Sequence, residues 1–369
     1  MRFSSRRQFL KEGLSVSFFS ILSTPCRAIF DLEISKQALP AWKELIDYAR
    51  WCPSVHNLQP YKVKIISATD ADLYYDPARL LPVSDPGSIF MTVSMGVFIE
   101  HLSIAAASSG YEVIVTEIFN PLSNSARIPA KFAGLRLIPA ENKEYLDREL
   151  IKKRRTSRLH YNGEPLSEKS LRALKEEAIE QGHEVFWSSE KQMVEEVIRL
   201  NQQTLFEDLG SGATRDELNR LFRYTEQEAE IKKDGLWARC MCFPGKLMRS
   251  VFNDHERWEH GLKKTALAGY YKNSFKGTHT ICWFGGNFDN TTDWLNAGKT
   301  LARCWLLLTK EGACIHPFGS LITNKAAYEK INALFTQPAK GKIWMIFRAG
   351  YSREPARSYR LDTEEIIIN

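Results

Sequence analysis

Three short stretches of this chain bring hydrogen-bonding and cationic side chains together in a way that suits a polar or charged small molecule. The first is Ser54-Val55-His56-Asn57-Leu58-Gln59-Pro60-Tyr61, entered through Arg50-Trp51-Cys52-Pro53. Pro53 and Pro60 bracket a loop whose Ser54, His56, Asn57 and Gln59 could present donors and acceptors to a planar heterocycle or its polyol tail. The same residues would equally make a capped turn, with His56 a structural loop histidine. The second is Lys152-Lys153-Arg154-Arg155-Thr156-Ser157-Arg158. Arg154 and Arg158 are four apart with Thr156 between them, so two guanidinium forks and a hydroxyl can converge on one phosphate. A solvated basic face is the competing reading. The third is Arg353-Glu354-Pro355-Ala356-Arg357-Ser358-Tyr359-Arg360-Leu361, where Arg357 and Arg360 would again suit a phosphate or simply lie exposed.

Regular elements must carry these stretches. An amphipathic helix is predicted from Pro40 to Ala49 and a strand from Lys62 to Ile66, on either side of the first loop. Two apolar helices are predicted further on, Met95 to Gly110 and Ala297 to Gly312, with identical spacing from Gly96 to Gly110 and from Gly298 to Gly312. In both, apolar residues cover most of the circumference, which marks a buried helix, and the closing glycine is a helix-ending cap. A strand-like run, Glu112 to Ile118, follows the first, and Ile343 to Arg348 is a second buried strand late in the chain. The pattern predicts two copies of one α+β unit. Their expected limits are residues 29–145 and 146–369. Between the paired features, residues 205–276 are rich in charge and aromatics and read as a helical insertion without counterpart, a lid over something.

Composition narrows the function classes. The segment 1–28 holds Arg2, Arg6, Arg7, Lys11 and Arg27 against Glu12, so +4 of the +6 formal charge sits there and the rest of the chain is close to neutral. That argues against a nucleic-acid or membrane-surface footprint. The opening Ser4-Ser5-Arg6-Arg7-Gln8-Phe9-Leu10-Lys11, followed by a Ser-diluted apolar run from Leu14 to Leu22, has the layout of a twin-arginine export signal. The run is too short to span a bilayer, which takes about 20 apolar residues. Cleavage after Ala28 is possible, and Pro25 before Cys26 spoils a lipidation box. The expectation is a protein handled by the twin-arginine export machinery, periplasmic or otherwise exported, and loosely anchored if the signal stays on. Seven cysteines form neither a disulfide framework nor a zinc spacing and read as buried thiols.

In their order along the chain, these motifs resemble the nitroreductase superfamily of FMN-binding flavoproteins. Ser54 to Tyr61 is similar to that family's Ser-x-x-Asn-x-Gln-Pro-aromatic motif, with Tyr61 where Trp is commoner. Arg154-Arg155-Thr156-Ser157-Arg158 is similar to its Arg-x-Ser/Thr-x-Arg/Lys phosphate motif. Arg357 and Arg360, ahead of Glu364-Glu365-Ile366-Ile367-Ile368, resemble the basic pair that closes the phosphate site. Asp85-Pro86 and Asp234-Gly235-Leu236 point to the Acg-like branch. The resemblance implies a nitroreductase-like α+β fold in which two fused copies form a pseudo-dimer with a helical lid. It implies one FMN per chain, because no second Asn-x-Gln-Pro loop and no second Arg-x-Thr-x-Arg set are present. Arg50, Ser54, His56, Asn57, Gln59, Arg154, Thr156, Arg158, Arg357 and Arg360 would then bind the cofactor. Pro317, in Gly312-Ala313-Cys314-Ile315-His316-Pro317-Phe318-Gly319, would touch the ring, although the acidic residue often found there is missing.

The activity so implied is that of an FMN-dependent oxidoreductase acting on a small conjugated compound, a nitroaromatic or a quinone. The cofactor would carry the redox chemistry, and no proton-transfer residue is required. Its electrons would come from NAD(P)H, a quinol or a redox protein, and outside the cytoplasm NAD(P)H is scarce. The rival expectation is a protein that binds and sequesters FMN under its lid with little turnover.

Overall fold

Two glycines, Gly96 and Gly298, fix where the two apolar helices touch. A Cβ on Gly298 would stand 2.2 Å from the Val93 carbonyl oxygen and 2.9 Å from the Gly96 Cα, and one on Gly96 would stand 2.3 Å from the Leu295 carbonyl oxygen. The helices therefore meet backbone to backbone, which no larger residue at either position permits. The structure, a computed structural model, describes residues 39–140 and 144–369. The twin-arginine-like segment and its apolar run lie outside the described residues.

In chain order the elements begin with α1 (Trp42–Ala49), β1 (Tyr61–Ile65), β2 (Asp70–Tyr75), α2 (Ile89–Ala107), β3 (Tyr111–Ile118) and β4 (Ala130–Pro139). Next come α3 (Glu149–Lys153), α4 (Glu168–Glu180) and β5 (Glu184–Ser188). A helical segment follows, comprising α5 (Lys191–Gly210), α6 (Gly212–Leu221), β6 (Phe222–Arg223), α7 (Glu226–Lys232), β7 (Leu236–Trp237), α8 (Gly245–Asn253), α9 (His255–Trp258) and α10 (Gly261–Asn273). The chain then forms β8 (Thr280–Gly286), α11 (Thr291–Lys310), β9 (Cys314–Pro317), α12 (Ser320–Thr323), α13 (Lys325–Leu334), β10 (Lys342–Gly350), α14 (Thr363–Ile366) and β11 (Ile367–Ile368).

The fold is thus a mixture of helices and antiparallel sheet. One sheet runs β11-β1-β2-β4-β3 and a second β5-β8-β10-β9, and the short β6 and β7 pair in a third of two strands. Pairing β1 with β5, β2 with β8, β4 with β10 and β3 with β9 superposes the two strand orders, and in each the apolar helix connects the second strand to the third. Both helices begin a turn and a half earlier than their glycine pattern predicts, α2 because Asp85 accepts from the Ile89 and Met91 amides at 2.9 and 3.0 Å, and α11 because Asn290 caps it through Asp293. Gly110 (φ 75°) and Gly312 (φ 77°) take the left-handed conformation that lets the chain leave each helix for its strand. α2 is apolar on every side and buried along nearly its whole length, as its composition requires.

The chain's last segment crosses between sheets. After β10 it passes over the first half and ends in β11, which pairs in parallel with β1 through Val63 and Ile367. The α5–α10 segment has a small core of its own, Leu209, Phe222, Leu236, Met248 and Phe252, and is tied to the first half by polar contacts. Asp234 takes two bonds from Arg223, at 3.0 and 2.6 Å, and one from Arg79 at 3.2 Å. Buried Glu217 accepts from the Val83 and Ser84 amides, both at 2.9 Å.

The helix contact is directly testable. Gly298→Ala is expected to lower stability by about 2 kcal/mol, because overpacking outweighs the gain in helix propensity. Gly269→Ala, in α10 with nothing within 4 Å of its Cβ position, should instead raise stability by up to about 1 kcal/mol. Urea unfolding of the two variants would show opposite shifts in midpoint; equal shifts would refute the backbone contact.

Candidate active site

The loop after α1 is built under strain. His56, Asn57 and Gln59 have φ values of 49°, 59° and 53°, three non-glycine residues in the left-handed region within four positions. Each costs about 1–3 kcal/mol and persists only where its surroundings over-determine it. Here they do. Ser54 Oγ accepts the Gln59 amide at 2.9 Å, and Ser94 Oγ on α2 accepts the Val55 amide at 3.2 Å. Gln59 is fully buried; its Nε2 donates to the carbonyls of Asn57 (3.1 Å) and Lys233 (2.9 Å), and its Oε1 accepts the Leu361 amide at 2.9 Å. Asn57 Nδ2 donates to the Tyr359 carbonyl at 3.1 Å, and its carbonyl accepts the Gly235 amide at 3.3 Å. First half, helical segment and C-terminal strap all hold this one loop.

The arginine stretch leaves α3 in extended form. Thr156 makes a parallel bridge to Ile315, and the Ser157 amide donates to the Ile315 carbonyl at 3.2 Å. This places Arg154 to Arg158 beside β9 and its His316 and Pro317. Arg154 is 4% exposed, with its guanidinium 4.5 Å from the Trp305 ring centre and Nη2 donating to the Trp51 carbonyl at 3.2 Å. Its Nε and Nη1 are buried without a partner. From the strap, Arg357 lies 3.3 Å over the Trp51 ring, and Arg360 donates to the carbonyl of the preceding Tyr359 at 3.0 Å, with Nε unpartnered.

Arg154, Arg155, Arg158, Arg357 and Arg360 thus ring one cavity of about 110 Å³. Among the described residues the one carboxylate near this set is Glu354, 3.7 Å from Arg155. Burial, and then the neighbouring Arg360, pushes the Arg154 guanidinium down to about 9; burial, then Arg155 and Arg360, pushes Arg357 down to about 10. Arg357 is exposed to solvent, but Arg154 is buried, and a buried cation without a counter-ion costs several kcal/mol. An anion that enters the cavity relieves that cost and meets N–H groups already aimed at it.

A larger cavity of about 660 Å³ adjoins the first, and Pro53, Ser54, His56, Thr156 and Arg158 line both. Its walls are mainly apolar, supplied by α2, by α11 and by the helical segment, with Pro317 among them. The two cavities together make an elongated site with a cationic end, a hydrogen-bonding waist and an apolar chamber. Half-buried His56 stands at the waist. Loss of water, and then the charge of Arg158, pushes its imidazole down to about 4, so it is neutral at neutral pH.

Of the residues predicted from sequence, Ser54, His56, Asn57, Arg154, Thr156, Arg158, Pro317, Arg357 and Arg360 line one cavity or both. Arg50 and Gln59 line neither. Arg50 is spent on Asp47 Oδ1 at 2.9 Å and the Leu361 carbonyl at 3.1 Å, and the amide of Gln59 is consumed by the ties above. Both hold the loop and strap in place instead of facing a ligand. The sequence did not single out Trp51 and Trp305, the aromatic platforms under the arginines. A tryptophan seven residues after Gly298, two helical turns along α11, was the available signal.

No protein-family model matches the chain, and no curated protein does. Among solved structures it is similar to the FMN-dependent nitroreductase NfnB of Mycobacterium smegmatis in complex with NADPH, at 16% identity over 57% of this chain and 92% of that one, with a TM-score of 0.34. A nitroreductase with bound FMN from Bacteroides fragilis is similar at 14% identity, over 58% and 91% of the two chains, TM-score 0.32. One with bound FMN from Desulfitobacterium hafniense gives 14%, 59%, 95% and 0.34.

The His56 environment predicts a pH effect. Its folded value, about 4, lies below the ordinary 6.5, so between these the unfolded chain binds more protons. The stability from a neutral His56 is complete above about pH 6.5 and is lost as the pH falls toward 4. In ligand-free protein, His56→Gln should flatten the fall of stability across that window. An unchanged slope in urea melts at pH 4 to 7 would refute the assignment.

Proposed function

We propose that this chain is an FMN-dependent oxidoreductase of the nitroreductase type, which reduces or oxidises a small conjugated compound of the nitroaromatic or quinone class. One observation carries the reading: five clustered, largely uncompensated arginines close one end of an apolar chamber, with a strained polar loop between. The donor set fits the cofactor. The unpartnered Nε and Nη1 of Arg154 and the Nε of Arg155 and Arg360 suit a phosphate, and the buried, unpartnered Oδ1 of Asn57 suits a hydroxyl or ring N–H donor. Arg154, Arg357 and Arg360 would neutralise the phosphate with Thr156 beside them, Ser54 and His56 would meet the middle of the molecule, and Pro317 would flank its ring. FMN held there would supply hydride transfer. The protein's part is to bind, orient and exclude water, for which the phenylalanines and methionines of the helical segment serve.

In this reading the chain is two fused copies of one unit, forming a pseudo-dimer with one site. The equal strand orders and the meeting of Gly96 with Gly298 support it, since equivalent residues touch across a two-fold axis. The α5–α10 segment is the lid. Export by the twin-arginine route would deliver the protein already folded around its cofactor, with NAD(P)H, a quinol or a redox protein as electron donor. A second reading, an FMN-holding protein with little turnover, is favoured by the Arg79–Asp234–Arg223 latch, which fastens the lid to the first half.

Heat release of ligand from purified protein should yield about one FMN per chain; none, even after incubation with excess FMN, would overturn the proposal. Arg154→Met should separate function from stability. Ligand-free protein should gain about 1–4 kcal/mol, because an uncompensated buried charge becomes an apolar group of similar size, while FMN affinity falls at least ten-fold. Loss of stability together with unchanged FMN content would mark Arg154 as structural. Anaerobic reduction by NADPH followed by reoxidation with a nitroaromatic or quinone over many cycles would exclude the holder reading.

A further inference from the structure

The core of the α5–α10 segment is hollow. Its five buried apolar side chains, Leu209, Phe222, Leu236, Met248 and Phe252, all line the cavity of about 660 Å³. So do Leu205, Leu218, Met241 and Phe243, which pack against them. The two larger apolar clusters of the chain place only a few of their members on this cavity. Protein interiors pack as densely as organic crystals, and side chains around a void lose the contacts that would otherwise hold them. Here the void touches every member of one small core.

The polar side chains that the segment adds to this wall already have protein partners. Asn201 Nδ2 donates to the Tyr271 hydroxyl at 2.9 Å, Asp208 accepts from Asn324 Nδ2 at 2.9 Å, and Thr214 donates to Ser211 Oγ at 3.4 Å. An apolar void of this kind takes an apolar ligand in preference to water. The void also continues outward. The cavity of about 160 Å³ shares Phe206, Leu209, Val251 and Leu267 with it, and exposed His260 and Lys264 line that second cavity too. A ligand that occupies both cavities passes between the four shared side chains, which a single-file chain can do and a ring system cannot. Met241 and Met248, with flexible thioethers, suit the same kind of ligand on the inner side.

We propose that the α5–α10 segment is the binding site for the aliphatic tail of an amphiphilic substrate. The ring head lies toward the waist of the site, and an alkyl- or prenyl-type chain completes the segment's core and runs outward past Val251 and Leu267. The place of the head rests on the oxidoreductase reading; the tail site rests on the hollow core alone. No bond is made or broken at the tail, which sets affinity and selects substrates by chain length.

The test uses the purified protein with whatever flavin it carries, and the methyl, butyl and octyl ethers of para-nitrophenol as probes. Binding is read by isothermal titration calorimetry, and FMN content is measured separately. Wild type should bind one probe per chain, with affinity rising about two- to four-fold for each added methylene, as burial from water requires. Val251→Phe and Leu267→Phe put a ring between the two cavities and should cut that rise to below about 1.5-fold per methylene. Both add apolar volume to an existing void, so their urea midpoints should hold or rise. A fall of both midpoints would show the core to be full already and overturn the inference. An affinity that does not grow with chain length, or grows equally in wild type and both variants, would also overturn it. One FMN per chain without a chain-length effect would leave the flavin reading intact and remove the tail site. Length-dependent binding by protein that takes up no FMN would do the reverse.

Discussion

Everything at the site depends on two helices that touch through their backbones. α2 and α11 can approach only because Gly96 and Gly298 have no side chains, and each helix then sets the position of one side of the site. α2 holds the strained loop through Ser94 and walls the chamber with Val93 and Val97. α11 carries Trp305 beneath Arg154 and leads through Gly312 into β9, where Ile315 anchors Thr156 and the next residues are His316 and Pro317. A side chain at either crossing residue would push the loop and the arginines apart by an ångström or more. The site's geometry is thus fixed in the core, far from any ligand atom.

Charge is organised on the same plan. Apart from Arg155, which reaches Glu354 at 3.7 Å, these arginines are held by aromatic faces and main-chain carbonyls and not by carboxylates. Trp51 carries Arg357, Trp305 carries Arg154, and the carbonyls of Trp51 and Tyr359 take one bond each from Arg154 and Arg360. Such contacts position a guanidinium without cancelling its charge. The contrast lies in the same fold: Arg303 is surrounded by Glu100, Glu144 and Glu177, which satisfy it fully and leave nothing for a ligand. Two buried arginine environments, one neutralised and one not, separate structural from binding use.

Spacing made part of this visible in sequence. Arg154-x-Thr156-x-Arg158 and the matched glycines are local patterns, and local patterns survive folding: the glycines close both helices, and all three motif residues line a cavity. The strands near Lys62–Ile66, Glu112–Ile118 and Ile343–Arg348 fall within a few residues of their predicted limits, because period and burial agree there. The place of Gln59, which lines neither cavity, was not legible for the opposite reason. Its partners are 174 and 302 residues away in the chain, and no local pattern says whether a buried amide is wired to the protein or left for a ligand. Tyr271 and Asn201 were invisible on similar grounds, since their meeting requires α5 and α10 to pack. The helical segment begins at Lys191, ahead of the predicted residue 205, because α5 is one helix on both sides of that point.

How the α5–α10 segment is fastened bears on whether the chamber is open to exchange. Its polar ties to the rest of the chain run from Asp234 to Arg79 and from Lys233 to Gln59 and Asp362 near the strained loop and the strap, and from Glu217 to Val83 and Ser84 and from Asp208 to Asn324 at the wall of the chamber. Between α5, α8 and α10, a pocket of about 160 Å³ shares Phe206, Leu209, Val251 and Leu267 with the chamber. Directional bonds cross there as well, from Asn201 Nδ2 to the Tyr271 hydroxyl at 2.9 Å and from Gln202 Nε2 to the Ala268 carbonyl at 2.8 Å, both between α5 and α10. The segment is therefore held by directional bonds at the cationic end and at the apolar one alike, and a ligand enters or leaves the chamber only when some of them break.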